Sequence, residues 1–333
     1  MSWKNLKQQS FAEALLVEHD ALTELDDVQK LIDWSRIETM LSGIHNKANG
    51  EQAWPPLLMF KAMLLQSWYK LSDPQLEKQV ARDLLFRRFI GLSLSESVPD
   101  HSSFWRFRNH PQIVALQASL LAEINRQLSE QGLYIRSGEI SIIDASVIQA
   151  QRHRPGKGKD GQNKQDPEAA YNVKAASDGK LKTTYGYKAH CNVDEEGLIK
   201  ATNFTAGNVH DSQCFTDLIS GREKRVYADS AYASEKTNQY LKEKQIENGV
   251  LERAYRNKPL TEAQKAKNKI KSRIRSTVER TFGILKQHYG MGQARYMGLV
   301  RNQVRFSLMC VAYNIKRGVS LRREREAWQE SCA

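Results

Sequence analysis

No run of about eighteen apolar residues, the length a membrane-spanning helix needs, occurs anywhere in this 333-residue chain, which excludes such a span. The opening stretch MSWKNLKQQS lacks the basic-then-apolar layout of a secretion signal, so the expectation is a cytoplasmic protein with no membrane partner. Cysteine is scarce: Cys191, Cys214, Cys310 and Cys332 are scattered without a close pair, which fits neither a disulfide framework nor a CxxC zinc site. They are expected to be free thiols, mostly buried. His153, His190 and His210 lack short ligand spacing, so histidine gives no zinc site either.

Acidic residues are few where basic ones are many. Residues 251–333 hold 19 Lys/Arg against 6 Asp/Glu, a surplus of 13, whereas the first 250 hold 31 against 32. The whole excess of the +12 chain therefore lies in its last quarter. A solvated basic helical tail fits that count; a polyanion partner explains it better, although charge alone does not separate DNA from RNA.

Periodicity divides the chain into a helical part, residues 1–131, a mixed α/β part, residues 132–320, and a basic, polar tail, residues 321–333. Pro55 and Pro56 open an apolar segment, Leu57 to Tyr69, suited to a buried helix. Ser72 or Asp73 is expected to cap a helix that runs, with support from Glu77, through Leu84 to Phe89 before Gly91. Asp100 precedes HSSFWRFRN, and after Pro111 a longer helix aligns Ile113, Leu116, Leu120 and Ile124. If these short helices form a helix-turn-helix-like module, Arg106 and Arg108 could touch phosphates or base edges. A purely structural bundle fits the same pattern.

From Gly138 the β-branched run of GEISIIDASVIQ reads as a buried strand ending in Asp144. A carboxylate there is costly to desolvate unless it meets a cation or donors. A polar basic loop, residues 151–165, follows. Antiparallel strands are then expected around Lys182–Asn192 and Leu198–Phe204, and a helix over Asp211–Ile219. KRVYADSAYAS presents another short strand, Arg225–Ala228, terminating in Asp229. Two neighbouring parallel strands would bring both aspartates to one sheet edge, where hard divalent cations find oxygen ligands. The expected third ligand is Glu279, on a helix whose apolar face carries Ile274, Val278, Thr281 and Leu285. At 100° per residue, Arg275, Glu279 and Lys286 fall within about 40° of one another, so one acid sits between two cations.

IIDASVI around Asp144, YGYKAH at Tyr185–His190, GNVHDS at Gly207–Ser212, ADSAY around Asp229 and RSTVERTFGILK at Arg275–Lys286 together resemble bacterial insertion-sequence DDE transposases of the IS4/IS5 type. The last motif is the most specific. The family signature Y-x2-R-x3-E-x6-K is met by Arg275, Glu279 and Lys286, while Ser272 stands at the tyrosine position. VPDHSSFWRFR also resembles the family's leading helical domain.

The resemblance implies an α/β fold: a ribonuclease-H-like mixed sheet flanked by helices, preceded by an all-α N-terminal domain for DNA-end binding or dimerisation. It implies that Asp144, Asp229 and Glu279 are catalytic and bind two Mg2+ ions, for which Mn2+ may substitute. Arg275 and Lys286 would contact DNA near the cut, with Arg280, Arg106 and Arg108 as further DNA-binding positions. The partners are double-stranded DNA, both terminal inverted repeats and target, and a second copy of the chain in a synaptic homodimer. The 50 positions from Asp229 to Glu279 leave little room for the large β insertion of some relatives. Two rival functions share these residues: a nuclease that cuts without joining, and a DNA-binding regulator without catalysis. Among secondary features, His210 and Asp211 read as a helix cap more readily than as an acid/base pair. Asp166 and Glu168 read as anchors of a turn at Pro167 more readily than as metal ligands. Tyr289 and Tyr296 read as core before base-stacking residues.

Overall fold

A computed structural model describes residues 3, 4, 6, 17, 19–44, 52–133, 139–152, 156–158, 161, 165–175, 180–254 and 259–332. They fall into two units, Met1–Leu133 with Ser307–Ala333, and Tyr134–Phe306.

The first unit is helical: α1 (Asp26–Leu31), α2 (Trp34–Leu41), α3 (Pro56–Trp68), α4 (Asp73–Arg82), α5 (Leu84–Ile90), α6 (His101–Arg108) and α7 (Pro111–Glu130). Helix α3 is apolar on every side and buried from Leu58 to Ser67, as expected of a central helix. The helix expected from Ser72 to Phe89 is two helices. Ser72 caps α4 in a capping box closed by Gln75, and the chain breaks at Asp83, whose carboxylate accepts from the Phe86 N–H and starts α5. An aspartate able to satisfy a free helical N–H favours a new start over continuation. Glu77, expected to support the Ser72 cap, instead accepts from the His101 N–H at 2.9 Å. Residues 321–332, expected as a tail, complete the long helix α11 (Leu299–Cys332), where Arg322 pairs with Glu326 one turn on at 3.1 Å.

The second unit is built on one six-stranded sheet: β1 (Ile140–Gln149), β2 (Ala170–Ala175), β3 (Leu181–Val193), β4 (Ile199–Ala206), β5 (Arg225–Ala228) and β6 (Glu247–Asn248). The order is β2-β3-β1-β5-β6, with β4 also paired to β3. Strands β2, β3, β4 and β1 pair antiparallel, and β5 joins β1 in parallel. The expected β3–β4 pair is present, whereas β2 is not among the expected strands: its short alternation exposes Tyr171 and Val173 and buries Asn172, the reverse of a core-facing strand. Between β4 and β5, a 3-10 turn (Asp211–Cys214) leads into α8 (Phe215–Leu218). Helix α9 (Glu235–Glu243) follows β5, and α10 (Glu262–Tyr289) packs on β1, β3 and β5. Between Asp229 and Glu279 the described residues hold only a 3-10 turn, α9, the two-residue β6 and the start of α10, with no large β insertion among them.

Two motif glycines have a packing reason. A Cβ on Gly186 would lie 2.0 Å from the Ile148 carbonyl oxygen, and one on Gly207 would lie 2.5 Å from that of Ala170. Backbones approach at both points more closely than any side chain permits, which accounts for the glycines of YGYKAH and GNVHDS.

Asp194, in the β3–β4 connection, accepts the Leu198 N–H at 2.7 Å, while its other carboxylate oxygen is buried with no hydrogen-bond partner. Burial pushes its carboxyl up to about 7 from an ordinary 3.8. The folded state therefore holds a proton that the unfolded chain has released, and stability falls as pH rises from about 4 to about 7. Asp194→Asn keeps an acceptor for Leu198 and removes the charge. Thermal unfolding across that range should show the variant gaining several degrees on the wild type; parallel curves would mean that Asp194 is ionised without penalty.

Candidate active site at the Asp144 edge of the sheet

The parallel ladder between β1 and β5 pairs Ile140 with Arg225 and ends with Ile143 opposite Ala228. Asp144 and Asp229 are the next residues on the two strands. Asp144 does not end its strand, contrary to the sequence expectation: β1 runs on to Gln149, paired with β3 and bridged at Gln149 to Gln293, and it is the ladder to β5 that stops. Beyond Ala228, β5 turns into a 3-10 turn (Ser230–Tyr232) that Asp229 caps by accepting the Ser230 N–H at 2.5 Å. Below this edge lies a core of Ile143, Phe215, Val226, Ala228, Tyr232 and Leu241. A strand buried by β-branched and aromatic residues up to its last position thus delivers a carboxylate at its end.

Helix α10 brings the third acid. Val278, Thr281, Phe282 and Leu285 are buried, and this face presses the helix onto the sheet. Its Thr261 cap is a capping box with Gln264, and Gly290 terminates it in the left-handed region. Glu279 is 58% exposed and Arg275 only 8%. The Arg275 guanidinium lies 3.4 Å from Asp144 Oδ2 and 3.6 Å from Glu279 Oε1. Arg275 is therefore turned inward to the carboxylates, not outward as expected of a DNA contact. Its Nε is buried with no hydrogen-bond partner.

The electrostatics tie the three acids together. Burial raises the Asp144 carboxyl to about 6; Arg275 and the Ala145 N–H oppose the rise, and Asp229 and Glu279 add to it by repulsion. Asp144 Oδ1 accepts from Ala145 at 2.8 Å, and among the described residues Oδ2 has only the long contact with Arg275. Three acids that repel one another, with hard oxygen donors at the edge of a sheet, are suited to divalent cations of the Mg2+ or Mn2+ kind. They are neighbours rather than a closed cage: among the described residues no three His, Cys, Asp or Glu side chains converge as a metal-ligand group.

Lys286, two turns beyond Glu279, opens to solvent, and its ammonium is held below its ordinary value by desolvation; Asp144 opposes this, while Lys174 and Lys182 lower it further. Arg280 is exposed on the same helix. In the other unit, Arg106 is 61% exposed, bonding Ser103 Oγ at 3.1 Å. Arg108 is not a surface residue: it is 2% exposed and grips Asp73 with two hydrogen bonds of 2.9 and 2.6 Å. An alternation of aromatic and basic residues in WRFR did not reveal which arginine faces inward.

The secondary features are structural. His210 caps the 3-10 turn, and Asp211 forms a buried ion pair with Lys188 at 2.9 Å. His190 is buried beside Thr205 and Cys214, and burial lowers its imidazole to about 4. Asp166 accepts from the Tyr187 hydroxyl and from the Gly298 N–H at 2.7 Å, and Glu168 accepts from the Leu299 N–H at 2.8 Å; together they hold the start of α11. Tyr289 is buried, Tyr296 half-buried. Cys191, Cys214 and Cys310 are free and buried; Cys332 is free and exposed. Of the basic loop, residues 153–155, 159, 160 and 162–164 lie outside the described residues. No described helix is long and apolar enough to cross a membrane.

Comparison with protein families finds two matches, both to transposase domains. Residues 12–110 match the family described as Transposase domain (DUF772). Residues 136–315, more than half of the chain and inclusive of Asp144, Asp229 and Glu279, match the family described as Transposase DDE domain. The chain belongs to the Transposase DDE domain family and is a DNA-acting transposase.

Proposed function

We propose that this transposase, of the IS4/IS5 type, cuts double-stranded DNA at the terminal inverted repeats of its insertion sequence and joins the freed end to target DNA. Asp144, Asp229 and Glu279 are its catalytic, metal-holding residues. The observation that carries this reading is the β1–β5 ladder, which stops one residue short of both aspartates while α10 holds Glu279 to the same Arg275 guanidinium as Asp144. The sheet order, with β4, β3 and β1 antiparallel and then β5 and β6 parallel, supports a ribonuclease-H-like core for residues 132–320, following a helical domain for end binding or dimerisation.

Two divalent ions, Mg2+ or Mn2+, would supply Lewis-acid activation of the attacking oxygen and charge neutralisation at the leaving oxygen when bound. The chain's own residues do the rest. Arg275 orients the Asp144 and Glu279 carboxylates and spreads their charge until phosphate enters. In the first step the oxygen of water bonds to phosphorus, the bond to the 3'-oxygen breaks, and that oxygen leaves as a 3'-hydroxyl. In the second, this hydroxyl bonds to a target phosphorus and the target's own 3'-oxygen departs with the proton. One phosphodiester replaces another, so neither ATP nor a covalent enzyme intermediate is needed. Lys286, Arg280 and Arg106 face solvent and would hold backbone phosphates, and a synaptic homodimer would bring two ends together.

Incubation of the protein with labelled duplexes bearing the element's ends, in Mg2+ or Mn2+, beside Glu279→Gln, tests this. Metal-dependent nicking followed by transfer of the 3'-hydroxyl into a second duplex, both lost in the variant, is expected. Cutting without joining would make the protein a nuclease; tight binding with no metal-dependent cutting would make it a DNA-binding regulator.

A further inference from the structure

Strands β2 and β3 pair in a register that sets Lys174 directly opposite Lys182. Side chains so opposed are close neighbours, and like charges there destabilise the ladder. Both lysines are exposed, and among the described residues neither meets a carboxylate. A third cation adds to the repulsion: the Lys286 ammonium of α10 lies within electrostatic reach of both, and of Asp144 as well. Three ammonium groups, on β2, β3 and α10, thus come within electrostatic reach of one another, and among the described residues no carboxylate balances Lys174 or Lys182. A cross-strand lysine pair of this kind is stabilised when a polyanion supplies the missing charge.

We propose that Lys174 and Lys182 on the β2–β3 pair, with Lys286 on α10, form one phosphate-binding surface that holds the DNA backbone leading to the carboxylates. The proposal rests on the transposase reading above and adds to it the strand pair and two residues that no motif singles out. Their work is positioning: neither touches the reacting atoms, and each acts by fixing the strand through its phosphates.

The test uses the full chain and a fluorescein-labelled duplex of arbitrary sequence, since phosphate contacts do not depend on sequence. Binding is measured against salt for the wild type, Lys174→Gln/Lys182→Gln, and Lys242→Gln/Lys244→Gln, which removes equal charge from exposed positions on and just after α9. Loss of two phosphate contacts should lower the log–log salt slope by about two and weaken binding by tens of fold at about 0.1 M salt. The α9 pair should keep the wild-type slope, Lys174→Arg/Lys182→Arg should restore it, and no variant should melt below the wild type, with Lys174→Gln/Lys182→Gln at or above it because the like-charge pair is relieved. An unchanged slope for the β2–β3 variant, or an equal loss in the α9 pair, would overturn the proposal. Metal-dependent cutting by the wild type in that event would leave the transposase reading standing. A wild type that neither binds duplex nor cuts it would overturn both.

Discussion

Asp144→Asn is expected to abolish metal-dependent DNA cleavage, by about a thousandfold or more, while leaving the fold at least as stable as the wild type when metal is chelated. The two halves of this expectation come from the same geometry. Asp144 sits at the point where β5 stops pairing with β1, largely buried, with Asp229 and Glu279 repelling it and only the Ala145 N–H and a long contact to Arg275 shown in return among the described residues. Its carboxyl is held at about 6, so above that pH the folded chain carries a charge that it binds less well than water does. Asparagine keeps an oxygen to accept the Ala145 N–H and gives up the charge. Divalent ions should reverse the order: they stabilise a folded state that binds them, so Mg2+ should raise the unfolding temperature of the wild type but not of the variant. Thermal unfolding in EDTA and in Mg2+, run beside the cleavage assay, reads both halves. A variant that is markedly less stable in EDTA would show Asp144 to be a structural partner of Arg275; one that still cleaves would remove Asp144 from the catalytic set.

That Asp144, Asp229 and Glu279, on remote segments, come to one edge of the sheet was legible in the sequence because each stands beside an unmistakable pattern. Ile140, Ile142 and Ile143 announce a buried strand before Asp144. Val226, Tyr227 and Ala228 do so before Asp229, and Val278, Thr281 and Leu285 fix the face of α10 from which Glu279 departs. What the pattern could not give was the direction of single polar side chains. Arg275 and Lys286 fall on one stripe by angle, yet Arg275 is drawn inward by two carboxylates, a fact set by the spacing of helix and sheet rather than by helical period. The break at Asp83 was hidden for a related reason. The apolar repeat continues through it, and only the competition of one carboxylate for the Phe86 N–H ends α4 there. Strand β2 was hidden because it is short and its burial is inverted: the apolar Tyr171 and Val173 are exposed while Asn172 between them is buried, so its alternation does not mark a core face.

Arg108 separates these two kinds of inference most sharply. As part of WRFR beside a helix cap it reads as a DNA contact; in the fold its guanidinium is 2% exposed and binds Gln66 Oε1 at 3.1 Å as well as both oxygens of Asp73. Gln66 Nε2 donates to the same carboxylate at 2.6 Å, which ties α3, α4 and α6 at one point. Arg108→Met fills most of the volume but leaves a largely buried carboxylate without its guanidinium, a change that typically costs about 3–5 kcal/mol. Asp73→Asn in the same chain should recover much of that loss, because the unbalanced charge, not the missing arginine, is what destabilises. Denaturant unfolding of the wild type, both single variants and the double variant measures the coupling directly. A residue that instead held a phosphate would behave in the opposite way: Arg108→Met would leave unfolding almost unchanged and lower the salt slope of DNA binding by about one. The interior ion pair predicts that, at temperatures where the variant remains folded, the slope is that of the wild type, and that the arginine reaching DNA from this helix is its exposed neighbour Arg106.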